Sequence, residues 1–508
     1  MTATRSRLMM RALAVLAAST FVTAGGAVEQ GAVTMKGRAP VSSEILKVKL
    51  PRPAEVDLPN GIHLMLLEDH RVPLVTFQLQ IPGAGGYFDP ADQLGLAQMT
   101  ATMMREGTSK QTTLQISEML ETKASTVTVG AGLSSITSTV SGSSLTENFA
   151  DTFALAADIL LRPSFPQEEF DRYKTRTKTG LVQQRSQPGF LASERFSKLM
   201  YGSHPSGRAS LTPEAIDKVT RDALVNFHKT RYVPDHAVLA IAGDISMAEA
   251  RKAIDTHLGG WVKAGVPAPK TDEPAAPPAG QVYLIARPDS VQTTIWVGSP
   301  AISRTSPDYD IVTVMNAVIG GGPTGRLFTK LREEKGYTYG AYSNISAAQF
   351  RGHWLATMDV RSEVTEPAMT DLMAEITRMR DEPVPQKEFD DKRRGIIASF
   401  ALTLESPQAV IANHITRWIY KLPPDYWEKL PDRIMAVTQA QVREAGKKYL
   451  DPARLQIVTV GDAATFESPI RAAPGIDTVI VNGAIAWRDG HSTDDRPGRV
   501  LARASLNP

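Results

Sequence analysis

The chain contains no cysteine. That excludes disulfides, thiolate zinc sites and cysteine nucleophiles together, and it fits a bacterial envelope protein. The formal net charge is only +2, which gives no reason to expect nucleic acid as a partner. None of the nine histidines pairs with another at the i, i+4 spacing that puts two ligands on one helix face. Long apolar runs are missing too. The one early candidate, Ala12 to Val22, is too short for a comfortable membrane span, and no later segment qualifies. What remains is a globular composition, 42% hydrophobic and 22% charged, over 508 residues. That length implies two or more domains.

The N-terminus has the pattern of a signal peptide over residues 1–27. Arg5, Arg7 and Arg11 form a basic region before the apolar run. Val22-Thr23-Ala24, or Gly25-Gly26-Ala27, supplies small residues for cleavage. No cysteine follows, so a lipoprotein is excluded. The expected location is the periplasm or cell envelope, with no membrane span after signal removal. Residues 28–50 read as an unstructured leader.

From there the pattern alternates strands and helices. Val56 to Leu67 carries Asn60-Gly61, the signal for a type I′ hairpin turn. Val72 to Ile81 is strand-like, Gly83 to Asp89 a loop and Leu94 to Met104 a helix. Ser125 to Val140 reads as strands. Helices are expected at 148–161, 167–184, 192–199, 213–232 and 248–258, with a buried strand at 237–242. Val266 to Gly280 holds prolines 267, 269, 274, 277 and 278, a semi-rigid linker and the clearest domain boundary. Beyond it, 282–286 and 293–298 read as strands and 307–319 as a helix. The run 349–360 is strand-like, and 367–379, 386–404 and 407–420 are helical.

A repeat divides the chain. Pro166-Gln167-Glu168-Glu169-Phe170-Asp171 recurs as Pro385-Gln386-Lys387-Glu388-Phe389-Asp390. Val219-Thr220 ahead of a helix recurs as Val437-Thr438, and a strand closed by Gly243-Asp244 recurs as one closed by Gly461-Asp462. Each pair lies 218 or 219 positions apart. The chain is therefore expected to be two copies of one unit, residues 51–263 and 281–465, joined by a linker at 264–280.

The densest motif lies in the second copy. Gly320-Gly321-Gly322 allows a tight turn. A short helix follows, with Leu327, Phe328 and Leu331 on one face and Gly336 suited to its left-handed end. Arg332 falls in the last helical turn, where it would complement the helix dipole, and Tyr339 falls on a strand-like run. This stretch, from Gly320 through Gly340, resembles the C-terminal half of M16 metallopeptidases, the pitrilysin and mitochondrial-processing-peptidase group. The resemblance, of M16B type, covers roughly residues 50–465. It implies an α/β (α+β) architecture of two homologous domains, each a mixed sheet backed by helices, closing as a clam shell. It also implies that Arg332 and Tyr339 reach the substrate carbonyl, where a guanidinium and a phenol can stabilise an oxyanion. Gly320, Gly321, Gly322 and Arg326 are the substrate-binding positions expected beside them.

In active members the first half carries H-x-x-E-H, two zinc ligands and a general base on one helix. Flanks at Gly95-Leu96-Ala97 and Glu106-Gly107-Thr108 place those five positions at Gln98 through Thr102. Gln98 and Thr102 replace the histidines, Ala101 replaces the glutamate, and the third ligand position falls near Gly180. An amide, a hydroxyl, a methyl and a glycine cannot hold Zn²⁺. No metal is therefore expected in this chain. The reading is a zinc-free subunit of a two-chain peptidase. Its partner would carry H-x-x-E-H and the zinc, and peptides would be the substrate. The alternative is a catalytically inactive peptide-binding or assembly protein. Residues 466–508 form a tail. Gly475 to Gly483 and Ala484 to Trp487 read as a hairpin, similar to the extreme C-terminus of amidohydrolase-type D-aminoacylases but without their metal ligands. The end after Arg499 is expected to be disordered.

Overall fold

The computed structural model describes residues 47–462, 478–481, 484–488 and 491–492. The proposed signal peptide, most of the leader and the end of the tail lie outside the described residues. The leader's last residue does not: Leu50 is buried against Val410 and Ile411, and just beyond it the carbonyl of Pro51 accepts a hydrogen bond from His414 Nε2 at 2.9 Å.

The first half opens with β1 (Ala54–Asp57) and β2 (His63–Glu68). Their turn differs from the expected type I′. The N–H of Gly61 bonds the carbonyl of Leu58 at 2.9 Å, Leu58 pairs with Ile62, and only Gly61 has positive φ, at 95°. This is a three-residue loop with a left-handed glycine closing it, which Pro59 at the second turn position favours. β3 (Leu74–Pro82) follows, then α1 (Leu96–Met104), α2 (Thr113–Thr122), β4 (Thr126–Ala131), β5 (Thr137–Leu145) and α3 (Phe149–Leu161). Next come α4 (Gln167–Arg185), α5 (Pro188–Tyr201), α6 (Pro213–Lys218), α7 (Arg221–Arg231), β6 (Val238–Gly243) and α8 (Met247–Leu258). The single helix expected over 213–232 is two. Val219 is extended and buried, and the Thr220 side chain accepts from the N–H of Ala223, starting a new helix.

The second half repeats this order. It runs β7 (Gln281–Ala286), β8 (Gln292–Pro300), α9 (Tyr309–Ile319), α10 (Arg326–Phe328), β9 (Thr338–Ser346), β10 (His353–Arg361) and α11 (Thr365–Asp381). It continues through α12 (Gln386–Thr403), α13 (Pro407–Ile419), α14 (Leu430–Ala436), α15 (Gln439–Tyr449) and β11 (Gln456–Gly461). The tail adds β12 (Thr478–Val481), β13 (Ala484–Arg488) and β14 (His491–Ser492). Its expected turns at Asn482-Gly483 and Asp489-Gly490 lie outside the described residues.

Both sheets share one topology. The first is ordered β1-β2-β6-β3-β5-β4, and the second β14-β13-β12-β7-β11-β8-β10-β9. In each, the wholly buried strand (β6 or β11) runs parallel to one neighbour and antiparallel to the other. They differ at one edge. β1 flanks β2 antiparallel, whereas β12 pairs with β7 in parallel, so the tail hairpin widens the second sheet.

The repeat-equivalent helices α5 and α13 are exchanged between the halves. Phe196, Met200 and Tyr201 of α5 pack on Leu355, Val458 and Val460 of the second sheet. Val410, Ile411 and Ile415 of α13 pack on Met65, Leu67, Val238 and Ala240 of the first. Each sheet thus has its own helices on one face and a helix of the other half on the opposite face. The Pro-rich linker is held down along its length. Asp235 accepts from the N–H groups of Ala264, Gly265 and Val266, Tyr87 Oη accepts from Asp272 N–H at 2.9 Å, and Gln456 donates to the Pro278 carbonyl at 3.0 Å.

Candidate functional site

The Arg–Tyr motif is built on an irregular helix. α10 lasts one turn and passes into a π-helical turn over Thr329–Glu334 that carries Arg332. Such turns interrupt the α ladder and re-aim side chains, often at functional sites. Leu327 and Leu331 anchor it in the core, each fully buried. Gly336 ends it in the left-handed region with φ at 61°, and its N–H bonds the carbonyl of Arg332 at 3.0 Å. The chain then enters β9 at Thr338.

This brings Arg332 and Tyr339 together. Arg332 Nη1 donates to the Tyr339 carbonyl at 2.7 Å. Its guanidinium lies 5.3 Å from the Phe328 ring centre and 5.9 Å from that of Tyr339. The Tyr339 side chain projects outward, 89% exposed, and its hydroxyl has no partner among the described residues. Arg332 Nε also makes a long contact to the Glu333 carboxylate at 3.4 Å. A half-exposed guanidinium so held, beside a phenol unpartnered among the described residues, can present two donors to a carbonyl oxygen.

The expected substrate-binding positions divide. Arg326 is only 7% exposed, and Nε and Nη2 fork onto the Glu388 carboxylate at 2.8 Å each. Its charge is met inside the protein by Glu388, while its Nη1 is buried without a partner. Gly320 is also structural: a Cβ there would meet Ser343 Oγ at 2.5 Å, and its carbonyl accepts from Ser343 N–H. At Gly321 a Cβ would press on the backbone of Ala317 at 2.9 Å. Gly322 has open space around it, with φ at 149°.

In the first half, α1 begins where Asp89 accepts hydrogen bonds from the N–H groups of Gly95 and Ala97, at 2.7 and 2.9 Å. Burial pushes the Asp89 carboxyl up to about 6, against the opposing pull of those donors and of Arg208. Ala101 is fully buried, and the Thr102 hydroxyl donates to the backbone carbonyl of Gln98 at 3.0 Å. Gln98 Oε1 is buried without a partner. Gly180 sits half-buried in α4 with nothing within 4 Å of where a Cβ would be. Among the described residues, no group of three or more His, Asp or Glu side chains could hold a metal ion. The donors at the degenerate motif therefore do not fit Zn²⁺. No hydrogen bond, ion pair or ring contact joins these positions to Arg332 or Tyr339 among the described residues.

Nearby, the first sheet offers an uncharged polar wall. Thr76, Gln78, Thr126, Thr128, Ser141 and Ser143 line a pocket of about 330 Å³, closed on one side by Gln408 and Ile411 of α13. Strict alternation explains it: the intervening Val75, Phe77, Val127 and Val140 point into the core. This site could have been seen from the Thr/Ser alternation of β4 and β5, which sequence reading assigned to strands without a face.

Comparison with known proteins agrees with this architecture. Residues 64–214 match the family described as insulinase (peptidase family M16), and residues 218–396 match the peptidase M16 inactive domain. A Helicobacter pylori protein named as the non-peptidase homolog YmxG is 24% identical over 390 residues, covering 76% of this chain and 88% of that protein. The Bacillus subtilis protein named as the uncharacterized zinc protease YmxG is 22% identical, covering 70% and 85%. A crystal structure of a peptidase M16 inactive domain from Pseudomonas fluorescens superimposes with a TM-score of 0.74 at 26% identity, over 81% of this chain and 98% of that one. A protease structure from Helicobacter pylori gives 0.74 at 14% identity, a likeness of fold alone.

Proposed function

Because this chain belongs to the M16 peptidase family and its motif helix carries no zinc donors, we propose that it is the zinc-free subunit of a two-chain peptidase of the cell envelope. The partner carries H-x-x-E-H and the metal. This chain supplies Arg332, Tyr339 and a cavity wall for an extended peptide. The observation that carries the reading is the assembled pair. Arg332 is fixed on a π turn by the Tyr339 carbonyl, and the Tyr339 phenol is left exposed and unpartnered. A residue kept only for folding would have little reason to be so exposed.

In this reading the pair acts on the substrate carbonyl oxygen. Arg332 and Tyr339 donate to it, and the bonds strengthen as charge develops in the tetrahedral intermediate. The hydroxyl-lined wall of the first sheet takes backbone and small polar groups of the peptide without selecting charge. The test is Tyr339→Phe in the reconstituted pair. Turnover should fall about a hundredfold or more, the range for loss of an oxyanion donor, while KM changes little. Unchanged kcat would overturn the shared site.

A second reading is supported by the relative named as a non-peptidase homolog. Here the chain binds peptides or organises an assembly without hydrolysis. Isolation of its native complexes separates the two. A co-purifying M16 chain with H-x-x-E-H and activity supports the first. Complexes without such a chain support the second.

A further inference from the structure

A second recess lies apart from the Arg–Tyr motif. The loop after β8, the end of α15 and the turn before β11 surround a pocket of about 530 Å³. Ser303, Thr305, Ser306, Arg351, Lys448 and Arg454 supply its polar lining. None of the residues discussed above as candidate catalytic or substrate-binding positions lines it.

The charge around this recess is not balanced from within. Among the described residues, Arg351 and Arg454 form no ion pair and Arg454 makes no side-chain hydrogen bond. Arg351 Nη2 donates to the neutral carbonyls of Ala275 and Pro274, at 2.9 and 3.5 Å, while its Nη1 is buried without a partner. Glu273, the carboxylate beside it, accepts from the Arg351 backbone N–H at 3.0 Å. Lys448 is bonded to Asp308 at 2.8 Å, but Asp308 is shared with the Tyr449 hydroxyl. The Ser303 and Thr305 hydroxyls have no partners among the described residues. Burial acts most strongly against the Arg351 cation, Tyr201 and Glu273 partly favour it, and the charge of Arg454 opposes it, so the two guanidinia are close enough to repel. With Lys448 held by Asp308, two guanidinia outside any ion pair and free hydroxyls remain among the described residues as donors in excess of the acceptors, which suits an added oxyanion. Guanidinium forks match phosphate oxygens in pairs, and hydroxyls donate to the remainder.

We propose that this recess binds a small soluble phosphorylated ligand, of the pyrophosphate or phosphate-ester class. The volume favours more than one phosphate-sized group. A membrane headgroup fits less well, because none of the exposed large apolar side chains lines the pocket to enter a bilayer. Arg351 also ties the linker through Ala275, so the ligand sits against the strap that joins the halves.

The experiment is calorimetric titration of pyrophosphate into the full chain at low ionic strength. Saturable binding is expected, weakened by added salt and by about tenfold or more in Arg454→Gln, the loss expected for one charge-assisted bond. Arg454 is exposed and, among the described residues, unpaired, so its replacement leaves the fold intact. Arg52→Gln, at an exposed arginine already paired with Glu428, should leave affinity unchanged. No saturable binding at millimolar pyrophosphate, or equal affinity in Arg454→Gln, overturns the site. So does Arg454-dependent binding to phosphatidylglycerol vesicles that pyrophosphate fails to displace, which would make the ligand a lipid surface.

Discussion

Arg326 and Arg332 stand six positions apart on one motif, yet their environments are opposite. Arg326 is enclosed and forks onto Glu388, whereas Arg332 keeps an exposed face beside a free phenol. Removing Glu388 leaves a buried guanidinium without its counter-charge, which costs about 3–5 kcal/mol. Glu388→Ala should therefore lower the urea midpoint sharply, and the apolar pair Arg326→Met with Glu388→Leu should recover most of the loss. If the pair is as unstable as Glu388→Ala alone, the ion pair is not what Arg326 is for. Arg332 and Tyr339 were legible as candidates only through the surrounding motif, since a terminal-turn arginine and a strand tyrosine are unremarkable alone. Arg326 was grouped with the substrate-binding positions by the same motif. The motif marks which residues recur together, but only packing shows that Glu388, 62 positions later, takes the charge.

Among the elements, the exchange of α5 and α13 is the feature no periodicity announces. Both helices have ordinary amphipathic sequences, and nothing local says whose sheet they cover. The repeat was legible because turn and capping residues are read over short distances: Thr220 and Thr438 each start a helix by accepting from the third residue on. The same kind of signal marks α2, where Thr112 and Gln115 form a reciprocal cap, although sequence reading passed over it. The π turn has no comparable signature, because it depends on where Leu331 and Tyr337 find their partners. The exchange makes a testable contact. Phe196 of α5 fills the space over Gly298 of β8, where a Cβ would lie 2.5 Å from its Cζ. Gly298→Ala should cost about 1–3 kcal/mol by overpacking, and Phe196→Ala about 3–5 kcal/mol through the cavity it leaves. The new methyl would also lie 2.6 Å from the Trp354 carbonyl oxygen, a clash that remains without Phe196, so the double variant should cost less than the two together only by the share of the clash that Phe196 makes. Simple additivity in urea denaturation would mean that α5 does not rest on that glycine.

At the scale of the molecule, ion pairs such as Arg52–Glu428 join the two halves, and so does one contact that works only when its side chains are uncharged. His353 of β10 accepts from or donates to Tyr201 of α5, Nδ1 to Oη at 2.7 Å, with Phe196 edge-on at 5.2 Å. Burial, reinforced by the charge of Arg351, pushes the His353 imidazole down to about 4, and burial pushes the Tyr201 phenol up to about 12. His353 is neutral in the folded state over a range where it would be protonated in the unfolded chain. Its contribution to stability is therefore complete above the unfolded value of about 6.5 and is lost as pH falls from there to about 4. A shift of this size corresponds to about 3 kcal/mol. His228 and His414 are also lowered by burial and act in the same direction. Asp89 acts in the opposite one, because its raised carboxyl destabilises the fold as pH rises towards about 6. The contribution of His353 must be isolated by substitution. His353→Gln keeps a group that can bond Tyr201 but cannot titrate. The wild-type chain should lose thermal stability between pH 7 and pH 5 more steeply than this variant. Its α5 amides should also show greater acid-induced opening in hydrogen exchange, because that helix is what His353 holds to the other half. An identical pH slope in the two proteins would show that the join between the halves does not depend on this imidazole.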